Sequence, residues 1–573
     1  MSVPVKPYPA ESAQATRYSA LGQQMAAQIQ RGMKKHKVTG LSVALVDAGE
    51  VVWAQGFGYA DKAAGRLADV DTVYKAGSIT KLVTGSAIMQ LVEAGQLELD
   101  APIQTYLPEL QIRYHAPTDR PITLRHIMSH SSGLPVDALH GMFSRNPESF
   151  HRSIDYLNAT HAAYPPGTIA TYSNLATDLL GVVIERVSGQ SYPAYIRDRV
   201  LAPLGMSQST VDDAAVNRQQ LSLGYRKGKH QEEYPLRDLP AGNLYTTVLD
   251  LARFVEMALE QGQPILSPPA FAEMTREQTG KLEYDTGARF GLNWVLRQAE
   301  LDYLGAVLCH NGGTLHFMST LVVLPEQGLG VVVLANSAGS MALVQETANA
   351  TLKAAARLKH GIEPPPPPPA PAEVIALPPE VAGQSAGYFA SQLGGLRIEQ
   401  RGRKLLAQLG GRTLHLRYHA DGWLSPQYRL LGLIPIKIPA LEQERFRVVE
   451  QNGQRILQVK EHGHSYLGGI AVEPPPPIHP AWRQALGKYR PEYLAGDFEA
   501  IKHLALIERH GQLMLRLNLG KLGGGIVAPL RTLSDEMALI EGLGRAMQET
   551  VYLREQEGTP ELYFSGYRMI KAR

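Results

Sequence analysis

Ser78 and Lys81 are the first residues of this chain whose types and spacing point to chemistry. They stand in "YKAGSITKLVTGSAIMQLVEAGQLELD", residues 74–100, and no other serine has a lysine three positions on. A serine hydroxyl is a weak nucleophile until a neighbouring base takes its proton. Behind Gly77, the apolar residues Leu82, Val83, Ala87, Ile88, Leu91 and Val92 recur at helical spacing. Residues three apart share a helix face, so Lys81 stands one turn above Ser78. The start of such a helix offers N–H groups and a positive dipole end to developing negative charge. A lysine held there, partly buried, is pushed toward its neutral form and can accept the serine proton. Taken alone, the pair reads more simply as a capping serine with a solvated lysine. Its companions decide.

The first companions lie in "YPPGTIATYSNLATDLLGVVIERVSG", residues 164–189, where a Pro-Pro-Gly turn leads through Tyr172 and Asn174 into an apolar helix, Leu175–Val187. A tyrosine at a helix start projects into a cleft, and a nearby cationic lysine eases its ionisation, so Tyr172 can act as a base. Asn174 can orient the lysine or a substrate amide. A second Tyr-x-Asn, Tyr156–Asn158, falls inside a predicted helix, residues 153–160, and reads as packing. The remaining companions lie in "VLCHNGGTLHF", residues 307–317. His310 is the one histidine with a glycine two residues on, and Gly312 and Gly313 permit close approach of a substrate to a strand edge. The Gly313 N–H can pair with that of Ser78 as an oxyanion hole. The alternative is a hairpin turn with a chance histidine.

These residues need elements to position them. "SALGQQMAAQIQRGMKKH" (Ser19–His36) has helical periodicity, and residues 41–47 and 51–61 read as a hairpin turning at Gly49. A long helical and loop-rich middle follows. Strand signals return at "AVLCHNGG", "MSTLVVLP" and "LGVVVLAN", and a helix, "MALVQETANATLKAAARLK", closes the segment. Early strands, middle helices and late strands predict an α+β domain: one antiparallel sheet built from both ends, flanked by helices, with a helical insertion. Two proline runs, Glu363–Glu373 and Glu473–Pro480, favour stiff extended chain and read as spacers. The expected organisation is a catalytic domain over 1–362, a linker over 363–373, a β-domain over 374–472, a linker over 473–480 and a second β-domain over 481–573. The two β-domains share texture: Ile398–Glu399 with Gly402, and Ile507–Glu508 with Gly511, each follow a Gly–aromatic start. Both are expected to be small barrels or curved sheets.

Bulk properties set further bounds. A net charge of +2 over 573 residues supplies no strong field for nucleic acid or an anionic membrane. The single cysteine, Cys309, excludes an internal disulfide and a cysteine metal cluster. No apolar run is long enough for a membrane span, and the N-terminus carries no apolar signal core, as expected of a cytoplasmic chain or one whose leader has been removed. "GQSAG" (Gly383–Gly387) matches a nucleophile elbow, but a proline-rich spacer precedes it where a strand is required. The residues around His462 and His464 offer too few partners for a metal. Neither metal nor cofactor is expected.

In this order and spacing, Ser78–Lys81, Tyr172–Asn174 and His310–Gly313 resemble the motifs of the serine β-lactamase and penicillin-binding-protein superfamily. The Tyr-x-Asn motif is similar to the class C-type branch, as are "MSHSSGLP" (Met128–Pro135) and "AGNLYTTVLDLARF" (Ala241–Phe254). The resemblance covers roughly residues 20 to 355. It implies acyl transfer, with Ser78 forming an acyl-enzyme and Lys81 and Tyr172 moving protons; which of the two is the base stays open. One departure stands out: His310–Asn311–Gly312 replaces the usual Lys-Thr-Gly, which argues against β-lactam turnover and recognition of a C-terminal carboxylate. The His-x-Gly form and the two trailing β-domains resemble D-aminopeptidases and related peptidases and esterases. In that group an acidic side chain on a last-domain loop reads the substrate amine. The comparable glycine-rich loop here, Leu519–Leu530, has no acid. The expected substrate is a small amide or peptide, with carboxylesterase, penicillin-binding and non-enzymatic binding roles as alternatives. No nucleic-acid partner is expected, and the sequence is silent on oligomeric state.

Overall fold

Ala48 and Gly49 both take positive φ, 48° and 81°, and turn the chain tightly between strands Gly40–Asp47 and Glu50–Asp61. The first of these strands is buried along its whole length because helices cover both faces of its sheet. Alternation divides it cleanly: Leu41, Val43 and Leu45 enter one core, Ala44 and Val46 the other. Strand Leu329–Ala335 pairs antiparallel with it, Val333 opposite Val43, and splits the same way. Strands Met318–Leu324 and Leu308–Gly313 complete that side of the sheet, and Val5–Pro7 edges the other. The sheet is thus assembled from both ends of the domain, as the sequence predicts. Helices Ser19–His36 and Met341–His360 pack on one face, and Thr80–Glu93 and Val248–Leu259 on the other.

The structure is a computed structural model describing residues 4–7, 13–366, 372–409, 412–430, 434–436, 444–451, 453–461, 463–520 and 524–572. Parts of the first proline run and of the Leu519–Leu530 loop, together with His462, lie outside the described residues. Among the described residues, no helix is long and apolar enough to cross a membrane, and no cluster of three His, Cys, Asp or Glu is placed to hold a metal.

Two closed antiparallel barrels of eight strands follow the α+β domain. The first runs from Gly387–Ser391 to His464–Ala471, and Leu414–Tyr418 on Leu424–Tyr428 closes part of its ring. The second runs from Gly487–Pro491 to Tyr567–Lys571 and closes by pairing these two strands. A short helix with proline at its first turn enters each barrel: Pro379–Ser385 and Pro480–Gln484. The Ile-Glu pairs of the repeat fall on second strands, and Gly402 and Gly511 take the left-handed turns that follow, at φ 60° and 76°. Ser385 ends a helix that precedes a strand, the reverse of a nucleophile elbow.

Candidate active site

Ser78 lies in a tight turn, with the Lys81 N–H on its carbonyl, just ahead of helix Thr80–Glu93. Lys81 is fully buried on the first turn of that helix. Its Nζ lies 2.7 Å from Asn174 Oδ1, 2.7 Å from the Ala241 carbonyl oxygen and 3.4 Å from Ser78 Oγ. Burial pulls the lysine down to about 7, against the attraction of Asp178, Asp137 and Asp238 and with help from Arg545. A neutral amine has two protons. In that form, donation to Asn174 and Ala241 uses both and turns the lone pair to Ser78.

Tyr172 precedes the N-cap of helix Asn174–Ser188, where Ser173 Oγ accepts from the Ala176 N–H at 2.9 Å. Its ring lies 4.8 Å from Lys81 Nζ and 4.2 Å from the His130 ring. Its hydroxyl is buried beside Ser78, without a hydrogen bond of ordinary geometry. Burial pushes this phenol well above its ordinary range, so it holds its proton. Asn174 bridges two groups, its Oδ1 accepting from Lys81 and its Nδ2 donating to Asp137 at 2.7 Å. Of the two roles open to it in the sequence, the geometry gives it the lysine.

Period-two alternation puts Leu308, His310 and Gly312 on the sheet face that meets the Ser78 helix. A Cβ on Gly312 would come within 1.9 Å of the Ala76 carbonyl, so only glycine lets the strand lie against the segment leading to Ser78. Gly77 takes φ 55°, and a Cβ there would lie 2.6 Å from the Gly313 nitrogen. The backbones of Ser78 and Gly313 therefore flank one small space. His310 Nδ1 donates to the Asn311 carbonyl at 2.7 Å, which leaves Nε2 as a buried, unpartnered acceptor. Burial and Lys81 pull His310 down to about 3, so the ring is neutral. Neighbouring Cys309 points into the opposite core, its thiol pushed up to about 12 by burial.

The last barrel reaches this space, though not through the loop the sequence singles out. The described part of Leu519–Leu530 turns back on its own barrel, Gly520 lying against Glu499 and Lys502. The segment that arrives is "EGLGRAMQE", residues 541–549. Gly544 N–H donates to Tyr164 Oη at 2.8 Å, and Glu549 Oε1 accepts from the Val136 N–H at 2.8 Å. Between these anchors, exposed Arg545 holds its guanidinium 4.9 Å from the Tyr172 ring centre and forms no ion pair among the described residues. Burial raises Glu549 to about 7. Sequence reasoning missed Arg545, Asp137, His130 and Asp178. His130 and Asp178 lie inside stretches it quoted, and Asp137 lies two residues past one.

A model of the Beta-lactamase family matches residues 25–356, more than half of the chain. The chain belongs to the Beta-lactamase family. Among its relatives is Protein flp of Staphylococcus aureus (strain MW2), 26% identical over 324 residues, covering 55% of this chain and 63% of that protein. Another is Penicillin-binding protein 4 of Amycolatopsis lactamdurans, 28% identical over 316 residues, covering 53% of this chain and 82% of that one. The fold extends beyond the family domain in two solved structures. The octameric penicillin-binding protein homologue from Pyrococcus abyssi is 26% identical, covers 77% of this chain and 96% of its own, and has a TM-score of 0.53. SurE, in a structure with D-Leu, is 22% identical, covers 78% and 99%, and has a TM-score of 0.55. Within the Beta-lactamase domain, Ser78, Lys81, Tyr172, Asn174 and His310 converge from three segments, and Arg545 comes from outside it.

Proposed function

We propose that the protein is a serine hydrolase that opens a small amide or peptide through an acyl-enzyme on Ser78. The observation that carries this reading is the placement of Lys81 Nζ, 2.7 Å from Asn174 Oδ1 and the Ala241 carbonyl oxygen and 3.4 Å from Ser78 Oγ, so that the neutral amine, donating to the first two, turns its lone pair to Ser78. Ser78 Oγ attacks the substrate carbonyl carbon and its proton passes to Lys81 Nζ. The N–H groups of Ser78 and Gly313 receive the oxyanion. Tyr172, which burial keeps protonated, gives its proton to the leaving nitrogen as the C–N bond breaks, and Lys81 restores it. Water then attacks the ester, with Lys81 taking a proton, and Ser78 Oγ leaves with one.

Arg545 refines the substrate. Of the acids nearby, Asp137 accepts from the Asn174 amide behind Lys81 and Glu549 accepts from the Val136 N–H at the root of the loop. The exposed charge over the Tyr172 ring is the Arg545 guanidinium, which matches a carboxylate. The substrate is therefore an amide or peptide with a carboxylate near the bond cut, rather than a free amine. The test has two arms. A fluorophosphonate labels the wild type and not Ser78→Ala; equal labelling overturns the site. Peptide p-nitroanilides and esters with a free carboxylate are cleaved faster than their amidated counterparts. Equal rates overturn the carboxylate reading, and turnover of esters alone makes the protein an esterase.

A further inference from the structure

Below Lys81 lies a sealed group of charges. Asp178 stands one turn after Asn174 on the same helix face, and Asp238 stands immediately before the short helix Leu239–Gly242, whose Ala241 and Pro240 carbonyls accept from Lys81 and Thr84. Asp178, Asp238 and Arg237 are all fully buried. Arg237 Nε donates to Asp238 Oδ1 at 2.7 Å, and its other nitrogens donate to the His140 and Ala138 carbonyls. Ser153 Oγ donates to Asp178 Oδ2 at 2.7 Å. Each aspartate is left with one unpartnered oxygen, Asp178 Oδ1 and Asp238 Oδ2, and the two side chains stand within hydrogen-bonding reach of each other.

Two facing carboxylates with a single guanidinium cannot both stay ionised out of water. We infer that Asp178 and Asp238 share one proton, Asp178 as the carboxylic acid and Asp238 as the carboxylate paired with Arg237. The pair is a positioning element: it locks Asn174 and the Ala241 carbonyl onto Lys81 and keeps a second negative charge away from the amine. Both aspartates are raised by burial, Asp178 the further, which agrees with the proton's place. The functional half of this inference rests on Lys81 as the base. Lys81 is faced by Asp178 from its helix, Asp238 from just before the short helix, Asp137, His130 and Tyr172 from the segments beside Asn174, His310 from the sheet and Arg545 from the last barrel. The pair itself is also faced by Asp137 and Tyr192, and Arg237 by Tyr156.

The proton is read directly by the infrared difference between wild type and Asp178→Asn at neutral pH. The expected result is a protonated-carboxyl band present in the wild type and lost in the variant; its absence overturns the shared proton, whatever the enzyme does. The positioning role is read from the pH profile of kcat/KM. Asp178→Asn keeps a neutral hydrogen-bonding partner, so its acid limb stays in place and its rate changes by less than about 3-fold. Asp238→Asn transfers the negative charge to Asp178, which weighs most on Lys81, so the limb moves up by roughly half a pH unit or more. Equal rate losses in both variants with an unmoved limb overturn the positioning role. If Asp238→Asn does not fold, the infrared difference and the Asp178→Asn profile still decide. Failure of the Ser78→Ala labelling test would instead remove the reading of Lys81 and leave the shared proton standing.

Discussion

The two barrels have the same number of strands and the same helical lead-in, yet they meet the catalytic domain in different ways. The first touches it through Tyr466 and Leu467: Leu467 N–H donates to the Asp285 carbonyl, and the guanidiniums of Arg289 and Arg297 lie 5.6 and 5.2 Å from the Tyr466 ring centre. The cleft of about 490 Å³ at that junction shares no residue with the Ser78 site. The second barrel instead grips the segments that build the site. Ser565 and Tyr567 bond to Asp137, Leu139 and His140, Tyr552 bonds to His161, and Glu549 bonds to Val136. The barrels also meet each other: Leu543 N–H donates to the Ser391 carbonyl, and Gly542 lies against Gly394. Under the proposed function, one barrel would carry the selecting loop and the other would brace it, two tasks divided between like folds by loop placement.

This division can be broken at four places. Arg545→Ala has the largest expected effect: kcat/KM on a carboxylate-bearing substrate falls roughly 10- to 100-fold, mainly through KM, while fluorophosphonate labelling of Ser78 persists. Gly542→Ala follows. Its Cβ would lie 2.6 Å from Met547 Sδ and 2.9 Å from Gly394 Cα, so the loop must shift. A loss on the order of 10-fold on the same substrate, with a neutral ester unaffected, would place the brace in the first barrel. Glu549→Gln tests the root of the loop through pH. The carboxyl titrates near 4.5 when unfolded and about 7 when buried, so the folded state holds its proton more tightly between these values. Stability from this group is fully present below about 4.5 and is lost as pH rises through about 7. Thermal melts of Glu549→Gln across that window should fall less steeply with pH than those of the wild type; identical slopes would remove Glu549 from the account. Tyr466→Ala is expected to leave kcat/KM within about 2-fold while lowering stability by about 2 kcal/mol. A larger loss of activity would show that the first barrel selects as well.

How legible each region was follows from how local its signal is. The Lys81 N–H bonds to the Ser78 carbonyl across one tight turn, Tyr172 and Asn174 flank one N-cap, and His310 and Gly312 share one strand face, so short motifs carry their geometry. The sheet was legible because residues 40–47 and 329–335 are apolar on both faces, as strands between two helical layers must be. Arg545 was not legible. It reaches the site because a barrel docks, and docking is written in contacts such as Tyr164 to Gly544 rather than in any local pattern. The resemblance to D-aminopeptidases pointed to the glycine-rich Leu519–Leu530, whereas the loop that arrives carries glycines too and differs in where the barrel faces. Asp178 had a fainter signal: an acid four residues after Asn174 in an otherwise apolar helix needs a partner or a proton.

The anchor of the selecting loop, Tyr164 Oη on the Gly544 N–H, belongs to the same turn segment that leads to Tyr172. That has a consequence in time. During synthesis Ser78, Lys81 and Tyr172 are all made before the barrel that carries Arg545. Under the proposed function, a nascent chain that has folded only its first domain carries the acylating residues but lacks the guanidinium that would discriminate anionic from neutral substrates. Docking of the last barrel would then add selectivity to that centre, and proteolytic loss of the barrel is expected to broaden the substrate range before it abolishes turnover.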